Sequence, residues 1–231
     1  MTTYVLVHGA WHDPRAWGAV APILHAAGAH TRIPDLGTDP RHGLHDQVAA
    51  VVATLDAVPR TEALVLVGHS YAGLVVREAA DLRPDHVDHI VLVDGWAGGD
   101  RASMFTLAPP AFVQAVRTAA VGQQIPAPPP AAFGITDAAV AARLRTQLRP
   151  QPLRTFTEPT HLTGAVDRIP GTAIYCRPQT YAFDHFGAAL GYRTQAVDGP
   201  HDIMLTDPEQ LSHLLLTVRP RQRGAHGSRW R

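Results

Sequence analysis

The stretch Val67-Gly68-His69-Ser70-Tyr71-Ala72-Gly73 follows an all-apolar run, Ala63-Leu64-Val65-Leu66-Val67, and leads into an amphipathic one, Tyr71–Leu82. A serine between a buried strand and a helix sits on a tight turn, the setting of a nucleophile elbow. Residues two positions to either side of such a serine must be small. Gly68 and Ala72 meet that demand, with Ala where Gly is commoner. A helix starting beneath Ser70 turns free N–H groups and partial positive charge toward a reacting centre. A plain Gly/Ser turn at the end of a strand would share these five residues, so the surrounding pattern has to decide.

Outward from Ser70, two periods alternate. Short β-branched runs at Tyr4–His8, His30–Pro34, Ala63–Gly68 and His89–Asp94 read as strands. Between them, Ala16–Ala27, Leu44–Val58 and Tyr71–Leu82 carry apolar residues at i, i+3 and i+4 and read as helices. Strands apolar at every position belong to a sheet covered by helices on both faces, and strand–helix alternation makes that sheet parallel. The expected fold is α/β, a six-stranded, mostly parallel sheet flanked by helices.

From 96 to 163 the composition shifts to Pro and Ala, includes Pro128-Pro129-Pro130, and offers no strand. Helices are predicted at Pro110–Ala120 and at Asp137–Leu148, the latter capped by Thr136. The α/β pattern then resumes with a strand at Thr172–Cys176, a helix at Phe183–Leu190, a strand at Arg193–Val197 and a helix at Asp207–Val218, where Pro208 suits the first turn. The expected organisation is a core of residues 1–95 and 164–218, a helical insertion at 96–163, and a flexible Arg/Gly-rich tail at 219–231.

Composition narrows the chemistry. The chain has 231 residues, enough for one domain with a substantial core, and its formal net charge is zero. No global field favours nucleic acid or an anionic membrane, and neither is expected as a partner. All 20 basic residues are arginine, which removes Schiff-base lysines, a P-loop lysine and a Ser–Lys dyad. The single cysteine, Cys176, excludes an intrachain disulfide and a multi-cysteine metal site. The first residues lack the basic region and long apolar region of a secretory signal, so none is expected, and no apolar run approaches the roughly 18–20 residues of a membrane span. A soluble cytoplasmic protein is expected, with homo-oligomerisation left open.

Two further segments carry chemistry. His8-Gly9-Ala10-Trp11 ends the first strand, where a loop supplies one N–H donor to a developing oxyanion. The two donors such chemistry needs are assigned to the backbones of Ala10 and Tyr71. Asp198-Gly199-Pro200-His201-Asp202 links the last strand to the last helix, and His201 is the candidate base. Other histidines, including His25, His42, His86 and His213, fall on predicted helices or their ends and read as solvated. Their scatter shows no metal-ligand spacing, so no metal or other cofactor is expected.

Together these segments resemble the branch of the α/β-hydrolase superfamily that holds plant methylesterases, the salicylate-binding esterase, hydroxynitrile lyases and related bacterial hydrolases. The resemblance runs from Tyr4 to about Val218. It rests on Val5-Leu6-Val7-His8-Gly9-Ala10-Trp11, Gly68-His69-Ser70-Tyr71-Ala72-Gly73 and Gly199-Pro200-His201-Asp202-Ile203-Met204-Leu205. It implies a compact sheet, a helical cap over the site, and a Ser70–His201–carboxylate triad that hydrolyses a hydrophobic ester, thioester or lactone through an acyl-enzyme. Same-site acyl transfer, cyclisation or a lyase step, and a ligand-binding role on the same scaffold, stay as alternatives.

The sequence departs from that branch twice. Where the plant enzymes keep their triad acid, this chain has Gln179. The carboxylate must come from elsewhere: Asp94, at the end of the strand after the nucleophile's own, is preferred, with Asp184 as the alternative. Hydroxynitrile lyases of the branch place Lys directly after the catalytic histidine. Here that position is Asp202, whose charge would oppose a leaving anion and disfavours the lyase. Met104, Phe105, Leu107, Phe112 and Phe133 of the insertion, with Trp11 and Tyr71 from below, are candidate substrate-lining residues, and for each aromatic core packing is the rival role. The expected partner is a small hydrophobic substrate.

Overall fold

The computed structural model describes residues 1–221. In chain order, β1 (Thr2–Val7), α1 (Val20–Ala26), β2 (His30–Arg32), α2 (Leu44–Asp56), β3 (Ala63–His69), α3 (Ala72–Leu82) and β4 (His89–Val93) build the first half. Then come α4 (Met104–Leu107), α5 (Pro110–Ala119), β5 (Gln124–Ile125), α6 (Ala138–Arg145), β6 (Gln151–Pro152) and α7 (Arg154–Thr157). The chain closes with β7 (Gly171–Arg177), α8 (Phe183–Ala189), β8 (Arg193–Asp198), α9 (Ile203–Thr206) and α10 (Pro208–Thr217).

Six strands form one parallel sheet in the order β2-β1-β3-β4-β7-β8. The continuous apolar runs are explained by two alternating sets of side chains. Val5, Val7, Leu64, Leu66, Ile90 and Leu92 join one core with residues of α2, α3 and α8. Their neighbours Tyr4, Leu6, Val65, Val67, Val91 and Val93 join a second core with α1 and α10. Each fully buried aliphatic side chain stabilises by about 1.5–3 kcal/mol, so both faces have to be covered.

The chain leaves β1 toward β2 and returns to β3 on β1's other side. That reversal opens a crevice beyond the carboxyl ends of β1 and β3, where ligands bind in open α/β sheets. Register brings Val7 level with Gly68, and His69 level with Val93. The turns that follow these three strands therefore meet in one place.

Several expectations change. The 96–163 segment does contain strand: β5 and β6 pair antiparallel. Two-residue strands are too short to show period 2, and Pro152 argues against a strand. The cap of α6 is Asp137, whose carboxylate accepts from the Val140 N–H at 2.9 Å, so the helix starts one residue later than a Thr136 cap requires. The predicted Ala16–Ala27 helix divides into a 3₁₀ turn at Pro14–Trp17 and α1. His86 is buried, not solvated. Most of the expected tail, from 222 onward, lies outside the described residues. No helix among those described is long and apolar enough to cross a membrane.

Candidate active site

β3 ends in a sharp turn that places Ser70 at φ 53°, with helix α3 starting two residues later. The turn is held from both sides: Ser70 N–H donates to the Val93 carbonyl, and the Ser70 carbonyl accepts from Gly73 and Trp96, each at 3.0 Å. A Cβ on Gly68 would lie 2.8 Å from the Ala72 carbonyl oxygen, and one on Gly73 would overlap the Trp96 carbonyl. The small residues around Ser70 are thus set by backbone approaching backbone.

His201, in the loop between β8 and α9, presents Nε2 to Ser70 Oγ at 2.9 Å and Nδ1 to Asp94 Oδ2 at 3.0 Å. Asp94 is buried just past β4, and its other oxygen accepts from the Cys176 N–H at 2.7 Å. The His201 ring stacks on Phe183, with centroids 5.5 Å apart and an 18° tilt. Asp184, on the first turn of α8, turns its carboxylate toward His185 at 3.7 Å, while Gln179 Oε1 lies 3.5 Å from the Asp184 N–H. Neither occupies the ring nitrogen that Asp94 holds.

The loop after β1 is braced from several directions. Trp11 sits at φ 64°, its N–H donates to Gln151 Oε1 at 3.2 Å, and its indole N–H donates to the Ile125 carbonyl at 3.1 Å. Its carbonyl accepts from the Arg149 N–H at 2.8 Å. The short β5–β6 ribbon therefore anchors this loop, a role that sequence periodicity could not reveal.

Behind the His201 loop lies a buried polar cluster that the sequence reading did not assemble. His12 directs Nδ1 to the Ala10 carbonyl at 2.8 Å and Nε2 to Asp202 Oδ2 at 2.9 Å. Both ring nitrogens face acceptors, which only the doubly protonated imidazolium satisfies. Burial alone would drive that proton off. The Asp202 charge and the hydrogen bonds to Asp202 and Ala10 outweigh it and hold the His12 pKa above the ordinary value. For Asp202 burial acts upward, and the charge and hydrogen bond of His12 more than offset it, leaving the pKa low. Burial, then the neighbouring His201, keep His69 neutral, its pKa well below the usual value. Its Nε2–H donates to the His201 carbonyl at 3.0 Å.

Side-chain ligand atoms of His69, His201 and Asp202 lie within 4.8 Å of one another, a gathering that the scatter of histidines along the chain concealed. Their hydrogen bonds engage His69 Nε2, both His201 nitrogens and Asp202 Oδ2 within the protein. Asp202 is fully buried and does not line the cavity described below. Its charge is paired with His12 and does not face the cavity directly.

A cavity of about 500 Å³ opens over Ser70 and His201. Ala10, Trp11, Tyr71, Met104, Phe112 and Phe133 are among its walls. Phe105 and Leu107 are not. Phe105 packs into the core with its ring 6.3 Å from Phe156 and under the Arg117 guanidinium, while Leu107 packs over Gly98. Both lie on the single turn of α4, which points only Met104 inward. Trp96, Phe156, Ile125 and Tyr181 also line the space and were not singled out from sequence. Among the described residues, no arginine or carboxylate lines it.

Comparison with known proteins agrees with this architecture. The family profile described as Alpha/beta hydrolase family matches residues 4–214. The carbendazim hydrolyzing esterase of a Nocardioides species is 26% identical over 94% of this chain and 100% of its own length. Methylesterase 2 of Arabidopsis thaliana is 32% identical, over 48% of this chain and 43% of its own. The alpha-hydroxynitrile lyase of the same plant is 30% identical over 40% of this chain and 39% of its own, so these plant matches span under half of either protein. Among solved structures, an extracellular alpha/beta-hydrolase from a Paenibacillus species superposes with a TM-score of 0.83 at 21% identity, covering 94% of this chain and 98% of that one.

Proposed function

Because the chain belongs to the alpha/beta hydrolase family, we propose that it is a serine hydrolase cleaving a neutral hydrophobic ester, thioester or lactone through an acyl-enzyme. The observation that carries this reading is the single imidazole of His201 between Ser70 Oγ at 2.9 Å and Asp94 Oδ2 at 3.0 Å. With Nδ1–H donated to Asp94, Nε2 is the basic nitrogen and faces the hydroxyl. His201 takes the Ser70 proton as Oγ attacks the carbonyl carbon, then delivers it to the departing alcohol or thiol. Water, deprotonated by the same nitrogen, releases the acid and restores Ser70.

The developing oxyanion is held by the N–H groups of Ala10 and Tyr71. Tyr71 is the N-cap of α3, and the N–H groups at a helix start have no intrahelical partner. In the loop after β1, Gln151 takes the Trp11 N–H, which leaves Ala10 as the donor. The 96–163 segment acts as the cap, contributing Met104, Phe112 and Phe133 to the apolar wall. A wall without fixed charges selects against anionic substrates, since an unpaired carboxylate placed there would lose its hydration uncompensated.

The test is a panel of short and medium acyl esters, thioesters and lactones, each with the Ser70→Ala protein as control. Neutral hydrophobic members are expected to turn over, with analogues carrying a carboxylate on the acyl chain at least about 100-fold poorer in kcat/KM. Activity retained in Ser70→Ala would refute the serine mechanism, and equal use of the anionic analogues would refute the substrate class.

A further inference from the structure

His12 and Asp202 are 190 residues apart in sequence, and neither touches the cavity, yet each is bonded to one half of the proposed machinery. His12 Nδ1–H is donated to the carbonyl of Ala10, the residue whose N–H is assigned above to the oxyanion. Asp202 directly follows His201, and its carboxylate lies among the side-chain atoms that come within 4.8 Å of a His201 ring nitrogen. The same short segment is fixed at two further points, by His69 Nε2–H on the His201 carbonyl and by the Asp202 N–H toward the Phe133 carbonyl at 3.4 Å.

We propose that the buried His12–Asp202 ion pair is a positioning pair that locks the oxyanion loop to the catalytic-base loop. This inference rests on the serine-hydrolase reading above. Two acceptors packed against His12 call for a cation there, Asp202 at 2.9 Å and the Ala10 carbonyl at 2.8 Å, and the nearby rings of Phe133 at 5.0 Å and His69 at 6.0 Å add no opposing charge. Asp13 adds a further favourable charge. The pair acts on geometry: with it in place the Ala10 N–H and the His201 ring keep a fixed separation, so a tetrahedral intermediate meets both at once. Misplacing such groups by about 1 Å can cost about 100-fold in rate.

His12→Gln and Asp202→Asn are expected to lower kcat by about 10- to 100-fold with KM changed less than about threefold, because the cavity wall is untouched. A merely structural pair would lower the thermal midpoint and leave the kcat of the folded fraction as it was. In the wild type, ¹⁵N-resolved NMR is expected to show both His12 ring nitrogens protonated at the pH where a free imidazole is already half neutral, and Asp202→Asn to convert the ring to its neutral form. A neutral His12 in the wild type, or folded variants with wild-type kcat, would overturn the proposal. Where one variant fails to fold, the kcat of the other decides, and a neutral His12 in the wild type still overturns the pair. Ser70→Ala run alongside separates the two claims: it removes turnover and keeps the His12 signature, whereas retained turnover defeats the serine reading whatever His12 shows.

Discussion

Ser70, Asp94 and Trp11 hold their backbones at φ 53°, 44° and 64°, a region that costs a non-glycine residue on the order of 1–3 kcal/mol. Such strain persists only where neighbours over-determine it, and each of the three is pinned: Ser70 by Val93, Asp94 through its N–H on the Ile174 carbonyl, Trp11 by Arg149 and Gln151. The pinning of Asp94 sharpens a prediction. Its Oδ1 accepts from the Cys176 N–H, so in Asp94→Asn the new amide keeps its carbonyl there and turns its N–H toward His201. That favours the wrong imidazole tautomer. Asp94→Asn is expected to fold normally and to lose up to about 10⁴-fold in kcat at saturating substrate. Asp184→Asn should cost about tenfold or less; the reverse order of the two losses would move the acid to Asp184. Ser70 was legible because an elbow has a local pattern. Asp94 was legible only as an acid at a strand end, and the Cys176 contact that orients it lies across the sheet, where no spacing along the chain records it.

At the level of elements, the unit β3–turn–α3 requires small residues because α3 leaves the sheet at close range. A Cβ at Gly73 would overlap the Trp96 carbonyl, which is itself fixed in the turn beside Ser70. Gly73→Ala is therefore expected to destabilise by about 1–3 kcal/mol, read as a lower midpoint in urea, through overpacking that the backbone cannot relieve. An unchanged midpoint would mean that α3 can shift outward. Long strands announced themselves as continuous apolar runs, and α2, α3 and α10 by a period of 3.6 that accumulates over several residues. The single-turn α4, α7 and α9 and the β5–β6 ribbon are too short for that. Tertiary contacts define them, as Gln151 and Ile125 do by gripping Trp11. The misreading of Phe105 as a wall residue has the same origin, because one turn of helix gives no face to count.

For the whole molecule, net charge is zero but buried histidines make stability depend on pH. Burial pushes His89 down to about 4 and holds His69 well below its ordinary value. In the unfolded chain both titrate near 6.5. Between those limits the unfolded state binds more protons, so stability falls as pH drops from about 6.5 toward 4. His12 works in the opposite sense: its raised pKa contributes stability that is complete below the unfolded value and is lost as pH rises through the folded one. The thermal midpoint is thus expected to be highest near neutrality and to fall steadily toward pH 4.5. His89→Gln, which keeps a partner for Thr172 without titrating, should flatten the acid slope; a wild-type midpoint flat from pH 7 to 4.5 would contradict the buried neutral histidines. At this scale the sequence showed fourteen histidines without showing which are enclosed. His86 read as solvated, and the link from His12 to Asp202 spans most of the chain.

The central claim is that His201 activates Ser70, and the reaction rate of Ser70 with a serine-directed phosphonate tests it most directly. Hydroxyls are poor nucleophiles without a base. The wild-type protein should be labelled stoichiometrically at Ser70, as located by peptide mass spectrometry, and His201→Ala should be labelled at least about 10³-fold more slowly. Equal rates in the two proteins, or modification at another residue with Ser70 untouched, would contradict the account.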